Sequence, residues 1–459
     1  MGGIINIGFG TSDITPRGGP ISLRGQWETR VSDEIRDPLL ANAMMIQSDG
    51  ARTIWAACDL CGIDKSLSDE VKRLLRISLD GFEDEQLILS GTHIHTGPNT
   101  DINPFTTLLD GREDPPGSIT TAECCRQVAL GIEKAVLQAA SSLEPGCFEV
   151  AISHTITGVC RRALYKNGSG IMYGDVHKPD FSGMEGRDGG PIQILFIRRE
   201  RDKRLVGVVA TVPCPAQVNE NALCVTADYW ATARNIIKRE LGGDTVVLGL
   251  IRSAGDLSPH TMVDCGKLTG DMRGADAAVT MGNRIGNAIV RAAGDILITY
   301  GPEAVHKHAV ARVSLPLWTA SKTEYDNAME YVNGVDKLGL NTLDNMMAYS
   351  TAVARIKRYE LGISDYPANL YAVRIGDIVF ITNPFELYIE YADRIRAACP
   401  EAQVYDVQLA GDDCLGYLPT QRAIDAGGYS AMIFSCFCGA KGGEEVVDKS
   451  VELIKSLMG

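Results

Sequence analysis

The stretch 86–99, QLILSGTHIHTGPN, constrains this chain more than any other. An apolar run, Leu87-Ile88-Leu89, stops at Ser90-Gly91-Thr92, and two histidines follow one residue apart before Gly97-Pro98 ends regular structure. That order predicts a buried strand delivering His93 and His95 to the edge of a sheet. In an extended backbone alternate side chains share a face, so the pair is expected to approach one small site together. Neutral imidazole is the commonest metal ligand and the usual acid/base near neutral pH. Taken alone, the pair is equally consistent with two polar loop residues.

A buried strand needs a core, and the composition supplies one: of 459 residues, 45% are hydrophobic and 22% charged, which is ordinary globular usage. The 44 basic and 58 acidic residues leave a formal net charge of −14, which argues against nucleic acid or an anionic membrane surface as the partner. No stretch approaches the ~20 apolar residues of a membrane span. The N-terminus, MGGIINIGFGTSDITP, lacks a basic region followed by a long apolar run, so no secretory leader is expected. The 13 cysteines are scattered without a framework. They read as reduced thiols, and the expected location is cytoplasmic. Cys58-Asp59-Leu60-Cys61 is formally C-x-x-C, but no second pair or thioredoxin-like unit accompanies it.

Strand and helix patterns interleave from end to end. Strands are expected over 4–8, 39–47, 53–58, 148–155, 192–197, 205–212, 245–251, 304–317, 370–375, 378–382 and 403–408. Helices are expected over 67–79, 120–140, 229–241, 275–293, 322–332, 343–361 and 444–458, the second capped by Thr120 or Thr121. Two segments read as irregular: 99–118, rich in Pro, Gly and Asp, as a long loop over a site, and 158–188, which carries Arg161, Arg162 and Tyr165. No linker or low-complexity run interrupts the chain. The expected fold class is α/β, one large domain over 1–459 with β-sheets flanked by helices.

Several of the expected strands end in polar groups where the chain turns into loop or helix: His93 and His95, Cys214, Asp256 and Ser258, and Glu386, with Tyr417 in a later loop. In open α/β sheets, sites gather beyond the carboxyl ends of strands. Imidazole, thiolate and carboxylate are all good zinc ligands. Sequence order alone does not bring these groups together.

The motifs resemble, in order, those of the neutral/alkaline non-lysosomal ceramidase superfamily. GFGTSDITP at 8–16 is similar to the family's opening motif, and SGTHIHTGP at 90–98 is the most specific match. AGDLSP at 254–259, NPFELYIEYADRIR at 383–396 and LGYLPTQRAIDAGGYSA at 415–431 follow in the family's order. The resemblance implies a neutral ceramidase-like catalytic domain and one Zn2+ held by two histidines, a glutamate and a tyrosine. Those ligands fall on His93, Glu386 and Tyr417, with Cys214 standing at the place of the second histidine. Two readings stay open there: a Cys214 thiolate on the metal, or a buried free thiol. The resemblance also implies catalytic roles for His95, Arg161 and Tyr429, with Arg162 adjoining the arginine and Ser430 standing where the family has a glutamate. Ser258 falls on a family serine once considered a nucleophile; beside Pro259 it reads as a turn residue. The other histidines read as structural or surface groups, with His260 on the Asp256 loop.

The implied activity is zinc-dependent hydrolysis of an amide. Family ceramidases usually carry a further β-sandwich domain, and this chain ends at Gly459. A small soluble N-acyl substrate is therefore expected rather than ceramide in a bilayer. Ceramidase activity proper, hydrolysis of an ester or sugar derivative, and a non-catalytic binding relative without full metal ligation remain alternatives. A homo-oligomer is left open.

Overall fold

The computed structural model describes residues 3–26, 28–102, 114–263, 271–335 and 342–459. Part of the loop expected over 99–118, residues 103–113, lies outside the described residues.

Strand periodicity sets the layers. In Ala51–Cys58, the side chains of Ile54, Ala56 and Cys58 enter one apolar cluster, and those of Trp55 and Ala57 enter another. Leu87–Gly91 repeats the split, with Leu87 and Leu89 on one side and Ile88 on the other. A strand buried on both faces reads as a continuous apolar run, and these do.

Among the described residues, ten strands form the larger sheet. Its path runs Val246–Ile251, Leu205–Val212, Ile192–Arg199, Glu144–Ser153, Asn6–Asp13, Leu40–Ser48, Ala51–Cys58, Leu87–Gly91 and Ala410–Gly411. Ile298–Tyr300 adds to Glu144–Ser153. Two neighbouring pairs are parallel, Leu205–Val212 with Val246–Ile251 and Ala51–Cys58 with Leu87–Gly91. Each parallel pair needs a crossover, and helices Tyr229–Leu241 and Lys65–Ser78 supply them. A second sheet runs His306–Pro316, Asp365–Ile375, Ile378–Thr382 and Gln403–Val407.

The two sheets pack face to face. Trp55, Ile88, Phe148 and Leu195 from the larger one meet Tyr371, Val373, Phe380 and Tyr405 from the smaller. Helices Lys65–Ser78, Thr121–Ser141, Tyr229–Leu241 and Ala275–Ala292 cover the outer face of the larger sheet through Val71, Ile132, Ile237 and Ile285. Helices Ile389–Ala398 and Ala440–Met458 cover the smaller sheet through Tyr391, Ile395, Val446 and Ile454. The order is helix, sheet, sheet, helix, which bears out the α/β expectation.

Local chemistry explains the element ends. Thr120 caps Thr121–Ser141 by accepting from the Glu123 amide at 3.2 Å. Ser321 and Glu324 form a reciprocal capping box at the start of Lys322–Gly334. The 158–188 segment is less irregular than expected: it holds the short strands Val159–Cys160, Arg162–Tyr165, Gly170–Met172 and Phe181–Met184. Strands of two to four residues are too short to show alternation. The last helix starts at Ala440, before the expected 444, because Gly442 and Gly443 hide its first turn from propensity. No helix among the described residues is long and apolar enough to cross a membrane.

One buried ion pair locks the turn after Ala51–Cys58. Arg234 donates to both oxygens of Asp59, each at 2.6 Å. Thr92 Oγ1 and the Leu40 amide fill the remaining acceptor sites of Asp59, at 3.2 and 2.9 Å. Removing one partner of such a pair strands a buried charge. Arg234→Leu is expected to lower stability by about 3–5 kcal/mol, read as a shift of the urea midpoint.

Candidate active site

Cys58 and Gly91 pair at the carboxyl ends of two parallel strands, so the loops that follow lie side by side. The Thr92 amide donates to the Cys58 carbonyl and the His93 amide to the Leu60 carbonyl, both at 2.9 Å. Gly91 makes this possible: a Cβ there would lie 3.0 Å from the Gly62 Cα and 3.1 Å from the Leu60 carbonyl oxygen. The strand therefore ends at Gly91, and His93 takes a left-handed backbone with φ of 61°. Extended alternation is thus not what joins the two histidines. The rings meet edge to face, with centroids 4.9 Å apart and Nε2 atoms 3.4 Å apart.

The outer nitrogen of each ring faces an acceptor. His93 Nδ1 donates to the Cys61 carbonyl at 2.7 Å. His95 Nδ1 lies 3.5 Å from Glu220 Oε2, and the other Glu220 oxygen lies 3.4 Å from His260 Nε2 and 3.3 Å from Arg273 Nη1. Burial pushes Glu220 up, and the nearby His260 and His95 imidazoles outweigh it, holding the carboxyl well below its usual range. Burial pulls the His95 imidazolium down, so the ring is held neutral.

Glu386 arrives from the smaller sheet. Its backbone pairs in parallel with Tyr417, which fixes two of the expected ligands side by side. Glu386 Oε2 stands 3.2 Å from His93 Nε2 and 3.9 Å from Arg161 Nη2. Arg161 donates to the Gly255 carbonyl at 2.9 Å, to Tyr417 Oη at 3.2 Å and to Tyr173 Oη at 3.0 Å. Its Nε is buried without a hydrogen-bond partner among the described residues. Arg162 points the other way, to Glu185 at 2.8 Å and the Gly427 carbonyl at 2.8 Å. The Tyr429 ring packs on the edge of Tyr417 with centroids 5.6 Å apart. Burial raises both phenols, so each keeps its proton near neutrality.

The AGDLSP loop supports this floor. A Cβ on Gly255 would lie 2.2 Å from the Glu386 carbonyl oxygen, so the close approach requires glycine. Asp256 accepts from the Ile389 amide at 3.0 Å. Ser258 Oγ accepts from Tyr173 Oη and from the His260 amide, both at 3.1 Å, which is the turn role expected of it. His306 and His308 bond Thr53 between the sheets, away from this cluster, in the structural role expected.

The donors fit a bound cation. A carbonyl oxygen only accepts, so the Cys61 carbonyl fixes a hydrogen on His93 Nδ1 and leaves Nε2 as the nitrogen open to a proton or a metal ion. That nitrogen faces the Glu386 carboxylate at 3.2 Å. Two acceptors at that distance need a positive charge between them, a proton or a metal ion. Burial pulls the His93 pKa down, yet the Glu386 carboxylate outweighs it and holds the imidazolium well above its usual range. The titratable ligand atoms that gather within 4.8 Å of one another belong to Cys61, His93 and His95. Cys214 is absent from that group. Its thiol is fully buried and donates to the Pro215 carbonyl at 3.5 Å. Sequence reasoning missed Tyr173, Gln217 and Glu220, which nothing local marks, and it set Cys61 aside as half of a formal C-x-x-C pair.

The fold is that of neutral ceramidase. The crystal structure of neutral ceramidase from Pseudomonas aeruginosa superposes with a TM-score of 0.72 at 17% identity, covering 99% of this chain and 75% of that one. A ceramidase complexed with C2 superposes with a TM-score of 0.71 at 16% identity, with the same coverage. No protein-family model matches the chain, and no curated protein matches it.

Asp256 gives a pH signature. Burial pushes its carboxyl up to about 6, against the smaller downward pull of the Ile389 amide. The folded state thus holds the proton more tightly than the unfolded chain does. That stabilisation is full below about pH 4 and is lost as pH rises through about 6. Asp256→Asn keeps the acceptor for Ile389 and is expected to flatten stability over this window, measured as urea midpoints across pH.

Proposed function

We propose that this chain is a zinc-dependent hydrolase of the ceramidase type, cleaving the amide bond of a small soluble N-acyl substrate. The observation that carries the reading is the close gathering of metal-ligating groups, with His93 Nε2 set 3.2 Å from the buried Glu386 carboxylate and a ring nitrogen of His95 and the Cys61 sulfur near it. His93 and Glu386 would hold the ion, with Tyr417 beside Glu386 as the resemblance implies. When bound, zinc supplies a Lewis acid for a carbonyl oxygen and lowers the pKa of water to about 7.

The chain's own groups have distinct work. Arg161, anchored at both Nη atoms, has an unpaired buried Nε that can meet the negative charge developing on the substrate oxygen. Protonated Tyr429, packed on Tyr417, is a second donor for that oxygen. His95 is held neutral and oriented by Glu220, so its Nε2 can take up a proton and pass it to the leaving nitrogen. Tyr173 and Gln217 keep Arg161 in place.

The substrate class rests on the net charge of −14, which disfavours an anionic lipid surface. Arg161→Met is expected to lower kcat by about 100-fold or more with little change in zinc content. His93→Ala and Glu386→Ala are each expected to lose zinc and turnover together, read by elemental analysis beside assays on a panel of soluble amides and ceramide. Full zinc occupancy in both variants would overturn the ligand assignment. Faster turnover of ceramide than of any soluble amide would overturn the substrate class.

A further inference from the structure

We propose that Cys61, and not Cys214, supplies a sulfur ligand to the cation that His93 binds. The proposal rests on the metal-dependent reading above and extends it to a residue outside the ligand set that the ceramidase resemblance implies.

Three observations converge on Cys61. Its Sγ and a ring nitrogen from each of His93 and His95 all lie within 4.8 Å of one another. Tetrahedral zinc, with bonds of about 2.3 Å to sulfur and about 2.0 Å to nitrogen, sets the two ligand atoms about 3.6 Å apart, so binding would draw the group in by at most about 1.2 Å. The second observation is His93 Nε2 itself, on a residue only 3% exposed, which faces the Glu386 carboxylate at 3.2 Å and His95 Nε2 at 3.4 Å. The imidazole that would hold the ion thus belongs to the same close group as the Cys61 sulfur. The third is accessibility: among the described cysteines, only Cys61 and Cys414 are partly exposed. A thiol that is partly open can meet an ion from solvent, whereas Cys214 is sealed in the core.

The backbone presents Cys61 for this role. The same residue gives its carbonyl to His93 Nδ1, so one residue both orients the imidazole and offers sulfur beside it. The stitched loops at Leu60 and Thr92 hold that arrangement without help from the metal. Where the resemblance leaves Cys214 in place of a histidine, Cys61 would supply a donor from the loop beside His93. Binding converts the Cys61 thiol to a thiolate and releases its proton to solvent.

Cobalt(II) in place of zinc tests this without reference to turnover. The wild-type protein loaded with cobalt is expected to show thiolate-to-metal charge-transfer absorption in the near ultraviolet. That band should vanish in Cys61→Ser and persist in Cys214→Ser, and zinc affinity should fall by more than about 100-fold in Cys61→Ser alone, beyond the loss from a supporting group. Zinc should also protect Cys61 of the unmutated protein from iodoacetamide, read by mass spectrometry, which covers a variant that fails to fold. A cobalt complex without the band, a band that survives Cys61→Ser, or unprotected Cys61 in the zinc-loaded protein overturns the sulfur assignment and leaves the hydrolase reading standing. Failure of the wild-type protein to bind zinc or cobalt at all overturns both.

Discussion

A single hydrogen bond, from His93 Nδ1 to the Cys61 carbonyl, decides what the site can be. It gives Nδ1 a fixed hydrogen, and so leaves Nε2 as the nitrogen that meets Glu386. Everything upstream serves that bond. Parallel pairing of Ala51–Cys58 with Leu87–Gly91 brings two loops together, and Gly91 lets their backbones touch. The left-handed backbone at His93 then swings the ring back over the loop it came to meet. Residues held in such conformations persist where the surroundings over-determine them.

The second constraint is that the site straddles two sheets. His93, His95 and Cys61 come from the larger sheet, whereas Glu386 follows a strand of the smaller one and pairs with Tyr417. Their mutual distance depends on how the sheets dock. The edge-to-face pair of Trp55 and Phe380, with centroids 5.6 Å apart, bridges the two sheets within their shared core. A buried ion pair finishes it near the site: Arg252, at the end of Val246–Ile251, meets Asp406 at 3.2 Å, and Asp406 also accepts from the Ser253 amide at 2.8 Å. Breaking that pair would let the sheets shift by amounts that a metal-ligand distance does not tolerate.

Much of this was legible in the residues. The run of Leu87-Ile88-Leu89 ending at Ser90-Gly91 located a strand end, and the histidines beyond it are indeed neighbours. The reason given, extended alternation, was not the one the fold uses. A positive φ at a histidine has no signature in the letters, because it follows from the loop on the adjacent strand. The ordered motifs hold Glu386 and Tyr417, and the resemblance implied Arg161 beside them; the fold places all three within reach of one another. The letters left Arg161 and Arg162 side by side; the strand pleat separates them, sending one to Glu386 and its neighbour to Glu185.

The sequence by itself determined the layers and the strand ends, because burial on one or two faces writes a period that local patterns carry. It also determined the chemical types available at those ends. Only the tertiary structure decided which cysteine shares space with the histidines. Cys61 and Cys214 both follow apolar strands and carry the same thiol. One lies in a loop stitched to His93 and partly open to solvent; the other is sealed under Tyr229, whose hydroxyl bonds the Cys214 carbonyl at 2.6 Å. That difference is a matter of which loops face each other across two sheets. It is set by long-range packing, and no single stretch of the chain contains it.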